Sequence, residues 1–125
     1  MKILLDTHVL LWCLAAPERL RPSVRTQIED PDNTVYASAA SAWEIEIKAA
    51  LGKLQAPADL ADQLRLRRFI ELPVHVRHVR ALRTLPPLHR DPFDRLLVAQ
   101  AIVDDLSLVT RDERVRAYPV RSLEA

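Results

Sequence analysis

Four acidic residues, Asp6, Glu44, Asp94 and Asp112, stand where short apolar runs end or helical patterns begin, and that placement gives them a possible common chemistry. Carboxylates brought close together repel one another, and each is driven toward protonation unless a cation neutralises it. Three or four converging acids therefore make a site for a hard divalent ion. Oxygen-only ligation selects Mg²⁺ or Mn²⁺, with water and a substrate phosphate completing the octahedron. Such ions serve phosphodiester hydrolysis by making bound water a stronger acid and by stabilising charge on the scissile phosphate, so no nucleophilic side chain is required. Asp6 and Asp94 are read as direct ligands, Asp112 as a ligand direct or through water, and Glu44 as a ligand to a second ion or the group that orients the attacking water.

Taken singly, each acid also has a plainer reading. Asp6 and Asp112 can cap the helices that follow them, Ser41 with Glu44 three residues on fits a capping box, and Asp91 or Asp94 can favour a helix dipole. Four coincidental caps are a weaker explanation than one shared site.

The elements that must position these residues follow from periodicity. Lys2 to Leu5 is a short apolar run ending at Asp6-Thr7, and Val9, Leu10, Leu11 and Leu14 continue with helical spacing, so Asp6 falls at a strand's carboxyl end. Pro22 opens a second helix toward Glu29, Asp30 to Asn33 form a turn, and Thr34 to Ala37 read as a strand. A helix from Ser41 carries Glu44 in its first turn and ends near Gly52. Further on, the pattern predicts a helix from Pro57 to about Phe69, a short strand over Ile70 to Val74, and a helix from His75 to Leu85 stopped by Pro86-Pro87. Phe93 to Val103 is helical with Asp94 in its first turn; Ser107 to Val109 is a strand delivering Thr110-Arg111-Asp112; a short helix to Tyr118 and a strand over Val120 to Leu123 follow. The alternation predicts an α/β fold, a mostly parallel central sheet of about four to five strands with helices on both faces, and ligands in such sheets bind beyond the strands' carboxyl ends.

Composition bounds the rest. A chain of 125 residues with 49% hydrophobic content suits one domain, taken as residues 1–125. The longest apolar run, Val9 to Ala16, is too short for a bilayer, and the lone Cys13 forms no internal disulfide, so a cytoplasmic protein without a membrane role is expected. A net charge of +1 gives no global attraction to nucleic acid. Of the 18 basic residues 15 are arginine, with clusters at Arg65, Arg67, Arg68 and at Arg77, Arg80, Arg83; these suit phosphate or are simply solvated helix faces. His75 and His78 lack the further ligands of a zinc set and read as surface residues, and the single glycine argues against nucleotide-binding loops.

Four blocks carry a resemblance: Leu4-Leu5-Asp6-Thr7-His8 followed by Leu10-Leu11-Trp12; Ser41-Ala42-Trp43-Glu44-Ile45 with Lys48 and Gly52-Lys53-Leu54; His89-Arg90-Asp91-Pro92-Phe93-Asp94-Arg95-Leu96-Leu97-Val98-Ala99-Gln100-Ala101; and Leu108-Val109-Thr110-Arg111-Asp112. In this order they resemble the PIN-domain ribonuclease toxins of the VapC type, from VapBC toxin–antitoxin modules, over the whole chain from Lys2 onward. The resemblance implies an endoribonuclease dependent on Mg²⁺ or Mn²⁺, cutting structured RNA such as tRNA or rRNA, homodimeric and neutralised by a cognate antitoxin. The family's acidic quartet falls on Asp6, Glu44, Asp94 and Asp112, and Thr7 and Thr110 match its supporting hydroxyls. His8 stands where many members carry Ser or Asn. Asp91 reads as a cap, Arg95 and Arg111 either hold substrate phosphate or pair with acids, and His89 either approaches the site or is an ordinary loop histidine. The antitoxin is expected to fill the acidic groove with a basic side chain, and apolar surface near Leu10, Leu14 and Leu54 to serve the dimer or the antitoxin. The alternative function is a catalytically silent PIN-like module that binds RNA or protein.

Overall fold

The computed structural model describes residues 1–125. Five strands, β1 (Lys2–Leu5), β2 (Thr34–Ser38), β3 (Ile70–Leu72), β4 (Ser107–Thr110) and β5 (Ser122–Glu124), form one sheet in the order β3-β2-β1-β4-β5, with every pairing parallel. Seven α-helices accompany them: α1 (Thr7–Ala15), α2 (Pro22–Glu29), α3 (Ala39–Ala50), α4 (Leu60–Leu66), α5 (Val76–Ala81), α6 (Pro92–Val103) and α7 (Glu113–Arg116).

A parallel sheet covered on both faces needs strands apolar on both sides, and β1 supplies this, with Ile3, Leu4 and Leu5 all fully buried. Successive side chains point to opposite faces. Ile3, Leu5, Val35, Ala37 and Val109 join a core with Val9, Leu10 and Cys13 of α1 and Val24 and Ile28 of α2. Leu4 and Leu108 join the opposite core with Leu97, Val98 and Ala101 of α6 and Val115 of α7. Helix α3 reaches both, through Ile45 on one side and Ala40 on the other.

Between β1 and β4 the strand order reverses, because the chain leaves β1 toward β2 and β3 and then returns to β1's other side. Helix α1 goes to one face from β1 and α7 to the other from β4, so a crevice opens beyond their carboxyl ends, the usual ligand position in such sheets. Asp6 ends β1, Asp112 follows β4, and the Asp6 N–H donates to the Val109 carbonyl at 3.0 Å across the seam.

Several boundaries differ from the sequence expectation. Helix α3 starts at Ala39, capped by Ser38, whose hydroxyl oxygen accepts from the Ala40 N–H; Ser41 is therefore inside the helix, no capping box forms, and Glu44 lies in the second turn. Helix α4 starts at Leu60 behind Asp59, and the helix expected to reach Leu85 ends as α5 at Ala81, followed by one 3₁₀ turn over Leu82–Thr84. The last strand lies at Ser122–Glu124, and β3 stops at Leu72. Gly52 takes φ +72° after α3, the left-handed conformation that suits glycine just past a helix end. Leu10 is buried, while Leu14 and Leu54 pack onto the first core and stay partly exposed, so of the apolar surface expected there only Leu10 is withdrawn into the fold. His78 also departs from expectation. It is fully buried, with Nε2 2.9 Å from Asp104 Oδ2 at the end of α6 and Nδ1 accepting from the His75 N–H.

Gln100 fixes α6, and hence Asp94, to the sheet: its Oε1 accepts from the Ser38 hydroxyl at 2.6 Å and its Nε2 donates to the Pro73 carbonyl at 3.2 Å. Gln100→Ala leaves both groups without their partner in a buried setting and should lower stability by about 1–3 kcal/mol, read as an earlier urea midpoint. An unchanged midpoint would show that these bonds do not anchor the helix.

Candidate metal centre

Asp6 is the N-cap of α1, its Oδ1 accepting from the Val9 N–H at 2.8 Å, and its side chain is buried at the head of the crevice. Burial raises its pKa above the usual carboxylate value, the Thr110 hydroxyl and the Val9 N–H work against that, and Glu44 adds to it. Thr7, the first residue of α1, donates its hydroxyl toward Glu44 Oε1 at 2.7 Å and lies 3.0 Å from the Ser41 hydroxyl. Glu44 is only 2% exposed, and Lys48 one turn along α3 places Nζ 2.5 Å from its other oxygen. That ion pair raises the Lys48 pKa, chiefly through the hydrogen bond, with Asp91 and Asp94 adding attraction.

Helix α6 begins at Pro92, and Asp91 is its cap, Oδ1 accepting from the Phe93 and Asp94 N–H groups at 2.8 and 3.3 Å. Asp94 is thus held in the first turn and turned to the crevice. Its pKa is pushed up to about 7, first by burial, then by the charges of Asp91, Asp6 and Glu44, with His89 partly offsetting them. Asp112 caps α7 through Oδ1 and the Arg114 N–H at 2.9 Å, while its N–H donates to the Thr110 hydroxyl at 3.1 Å. Burial would raise its pKa, but the hydrogen bonds from Arg114 and His89 outweigh this and hold it low.

Asp94 and Asp112 therefore meet at His89, and Asp6 and Glu44 lie near enough for their charges to raise the Asp94 pKa, with Thr7 tied to Glu44 and Thr110 acting on both Asp6 and Asp112. Capping and clustering are not alternatives here: Asp6 and Asp112 each use Oδ1 on a helix N-terminus and keep a second oxygen for other partners. Arg95 and Arg111 pair with no acid. Arg95 donates to the Pro86 carbonyl and the Tyr118 hydroxyl, both at 3.1 Å. Arg111 donates to the Ala125 and Arg19 carbonyls and lies over the Trp12 ring, 4.4 Å from its centroid. Of the arginine clusters, Arg67 binds the Cys13 and Leu14 carbonyls at the end of α1, Arg65 pairs with Asp62, and Arg77 with Asp104. His8 is exposed, its ring tilted toward Trp12.

His89 is the residue the sequence left open. It lies in the loop before α6, yet its ring is buried, with Nε2 3.0 Å from Asp94 Oδ2 and 3.1 Å from Asp112 Oδ2. Nothing in periodicity marks it, since it stands 5 and 23 positions before these acids; its only signal is its place in the matched block. Trp43 is 61% exposed and meets Phe93 edge-on, ring centroids 5.1 Å apart.

The donor set fits a hard divalent cation: carboxylates from four separate stretches of chain, with burial and the neighbouring acids pushing the Asp94 pKa up to about 7, a shift that added positive charge would relieve. Cys13 offers no competing chemistry, because burial pushes its thiol up to about 11. No helix is long and apolar enough to cross a membrane.

Comparison with known proteins agrees with this geometry. The PIN domain family matches residues 3–120. Ribonuclease VapC22 of Mycobacterium tuberculosis is 32% identical over 124 residues, covering 93% of this chain and 91% of that protein. Among solved structures, VapBC2 of Rickettsia felis bound to a promoter DNA fragment superposes with a TM-score of 0.70 at 14% identity, over 99% of this chain and 98% of that one. A toxin–antitoxin complex from Klebsiella pneumoniae gives 0.62 at 17% identity, over 97% and 95%. At these identities the structures speak for the fold alone. The family profile and the full-length relative together show that this chain belongs to the PIN-domain family and is of the VapC type.

Proposed function

We propose that the chain is an Mg²⁺- or Mn²⁺-dependent endoribonuclease, the toxin of a toxin–antitoxin module, acting on structured RNA such as tRNA or rRNA. The observation that carries this reading is the crevice at the β1/β4 seam, where Asp94 is pushed up to about 7 by burial and by the acids around it. A protein gains nothing in stability from such crowding, so a ligand that relieves it is the physical explanation. Likeness to a full-length ribonuclease supports RNA as the substrate class, and likeness in fold to toxin–antitoxin complexes supports an antitoxin partner. A homodimer and a basic antitoxin side chain in the acidic crevice belong to the same proposal.

In this reading Asp6 and Asp94 hold the cation, with Asp112 joining directly or through water. A bound Mg²⁺ or Mn²⁺ acidifies water and offsets charge on the scissile phosphate. Glu44 has a different task. Both its oxygens are already engaged, by Thr7 and by Lys48, so it is better suited to accept from and orient the attacking water than to bind metal alone. Thr110 braces Asp6 and Asp112 together, and Asp91 fixes the turn that presents Asp94.

Purified chain, incubated with total tRNA and rRNA and Mn²⁺ or Mg²⁺, should give discrete cuts. Asp6→Asn and Asp94→Asn should each lower the rate by at least about 100-fold, the order expected when preorganised charge stabilisation is lost, and chelator should abolish cutting. A folded wild type that binds no divalent ion and cuts no RNA would replace this reading with the silent binding module.

The raised Asp94 pKa makes a second prediction. A carboxyl whose pKa is higher in the fold than in the unfolded chain binds its proton more tightly when folded, so its contribution favours folding at low pH and is lost as pH rises from about 4 to about 7. Metal-free protein should lose on the order of a few kcal/mol of stability across that window. Asp94→Asn should flatten the decline, and Mn²⁺ should raise the melting temperature more at pH 7.5 than at pH 5. Equal pH slopes for wild type and variant would show that Asp94 ionises without strain.

A further inference from the structure

His89 sits between Asp94 and Asp112, and its two ring nitrogens have different jobs. Nδ1 accepts the Asp91 backbone N–H at 3.1 Å, so that nitrogen carries no proton. The neutral ring's proton is therefore on Nε2, which faces Asp94 Oδ2 at 3.0 Å and Asp112 Oδ2 at 3.1 Å. One N–H thus spans two carboxylates that belong to different elements, α6 and the turn after β4.

Ring and backbone are both fixed. Asp91 is committed as the cap of α6, which prevents its N–H from turning away from Nδ1. The His89 N–H donates at 2.9 Å to the buried Tyr118 hydroxyl, which also accepts from Arg95. Arg95, expected to meet phosphate or an acid, is in this way part of the support for the loop that carries His89.

The three ligand atoms of His89, Asp94 and Asp112 lie within 4.8 Å of one another, a spacing that would also suit a cation held by the imidazole. The hydrogen bond at Nδ1 decides against it. Ligation through Nε2 requires the proton on Nδ1, where it would face the Asp91 N–H donor against donor.

We propose that His89 is a positioning residue: its Nε2–H bridges Asp94 and Asp112 and sets their spacing, leaving the other oxygen of Asp94 to the divalent cation, to which His89 does not itself bind. This rests on reading the acidic crevice as a cation site. In that arrangement the histidine helps to keep two repelling carboxylates together, alongside Arg114, which lies 3.3 Å from Asp112 Oδ2.

The test combines nitrogen spectroscopy with Mn²⁺ binding. In ¹⁵N-histidine-labelled protein, the His89 signals should show an unprotonated Nδ1 and a protonated Nε2; the reverse tautomer would overturn the proposal. Mn²⁺ titration followed by electron paramagnetic resonance should show binding about 10- to 100-fold weaker in His89→Leu, which fills the space without a donor. His89→Gln, which keeps an N–H at the same reach, should recover most of the loss, with circular dichroism confirming that both variants fold. Pulsed spectra of wild type with Mn²⁺ should lack a directly bonded histidine nitrogen. Such a nitrogen, or binding in His89→Leu as tight as wild type, would overturn the role of His89 while leaving the cation site intact. No Mn²⁺ binding by wild type would overturn both.

Discussion

Repulsion between carboxylates that the fold itself brings together is the constraint on which the rest of this structure turns. Asp6, Glu44, Asp94 and Asp112 come from four separate stretches of chain, and only the reversal of strand order between β1 and β4, with α3 and α6 closing over it, makes them neighbours. Burial makes their mutual charge more costly than it would be in water. Each acid accordingly has a fixed donor: the Val9 N–H for Asp6, Thr7 and Lys48 for Glu44, Arg114 and His89 for Asp112. Asp94 is the least well compensated: His89, 3.0 Å away, and the charge of Lys48 only partly offset its burial and its acidic neighbours, and it is the acid whose pKa climbs to about 7.

That imbalance distinguishes this crevice from a set of ordinary helix caps. Capping accounts for one oxygen of Asp6, Asp91 and Asp112, and the N-termini of α1, α6 and α7 are satisfied by it. It does not account for the convergence, since each helix could be capped equally well by serine or asparagine without adding charge. The cost is met by the two cores on either face of the sheet, which hold α1 and α6 in place through Val9, Leu10, Leu97 and Val98.

Much of this was legible in the sequence, for a physical reason. Parallel strands buried on both faces give unbroken apolar runs, so Lys2 to Leu5 and Ser107 to Val109 announce strands whose carboxyl ends deliver Asp6 and Asp112. Pro92 marks the first turn that holds Asp94. Less visible was anything depending on contacts between distant segments. Ser41 with Glu44 imitates a capping box, but Ser38 wins the cap because β2 runs directly into two alanines that readily extend the helix. His78 looks like a surface histidine until Asp104, 26 residues on, supplies the partner that allows its burial. Arg95, Arg111 and Arg67 look available for phosphate, yet each is bound to backbone carbonyls that the fold brings within reach. His89 belongs with these, because its importance appears only when α6 and the β4 turn are side by side.

The most direct test of the account is diffraction from crystals grown with Mn²⁺, collected where manganese scatters anomalously. The account predicts an anomalous peak in the crevice beyond β1 and β4, bonded to oxygens of Asp6 and Asp94, with Asp112 bonded to it or one water away. At saturating Mn²⁺, an empty crevice, or an ion bound elsewhere on the chain, would contradict it.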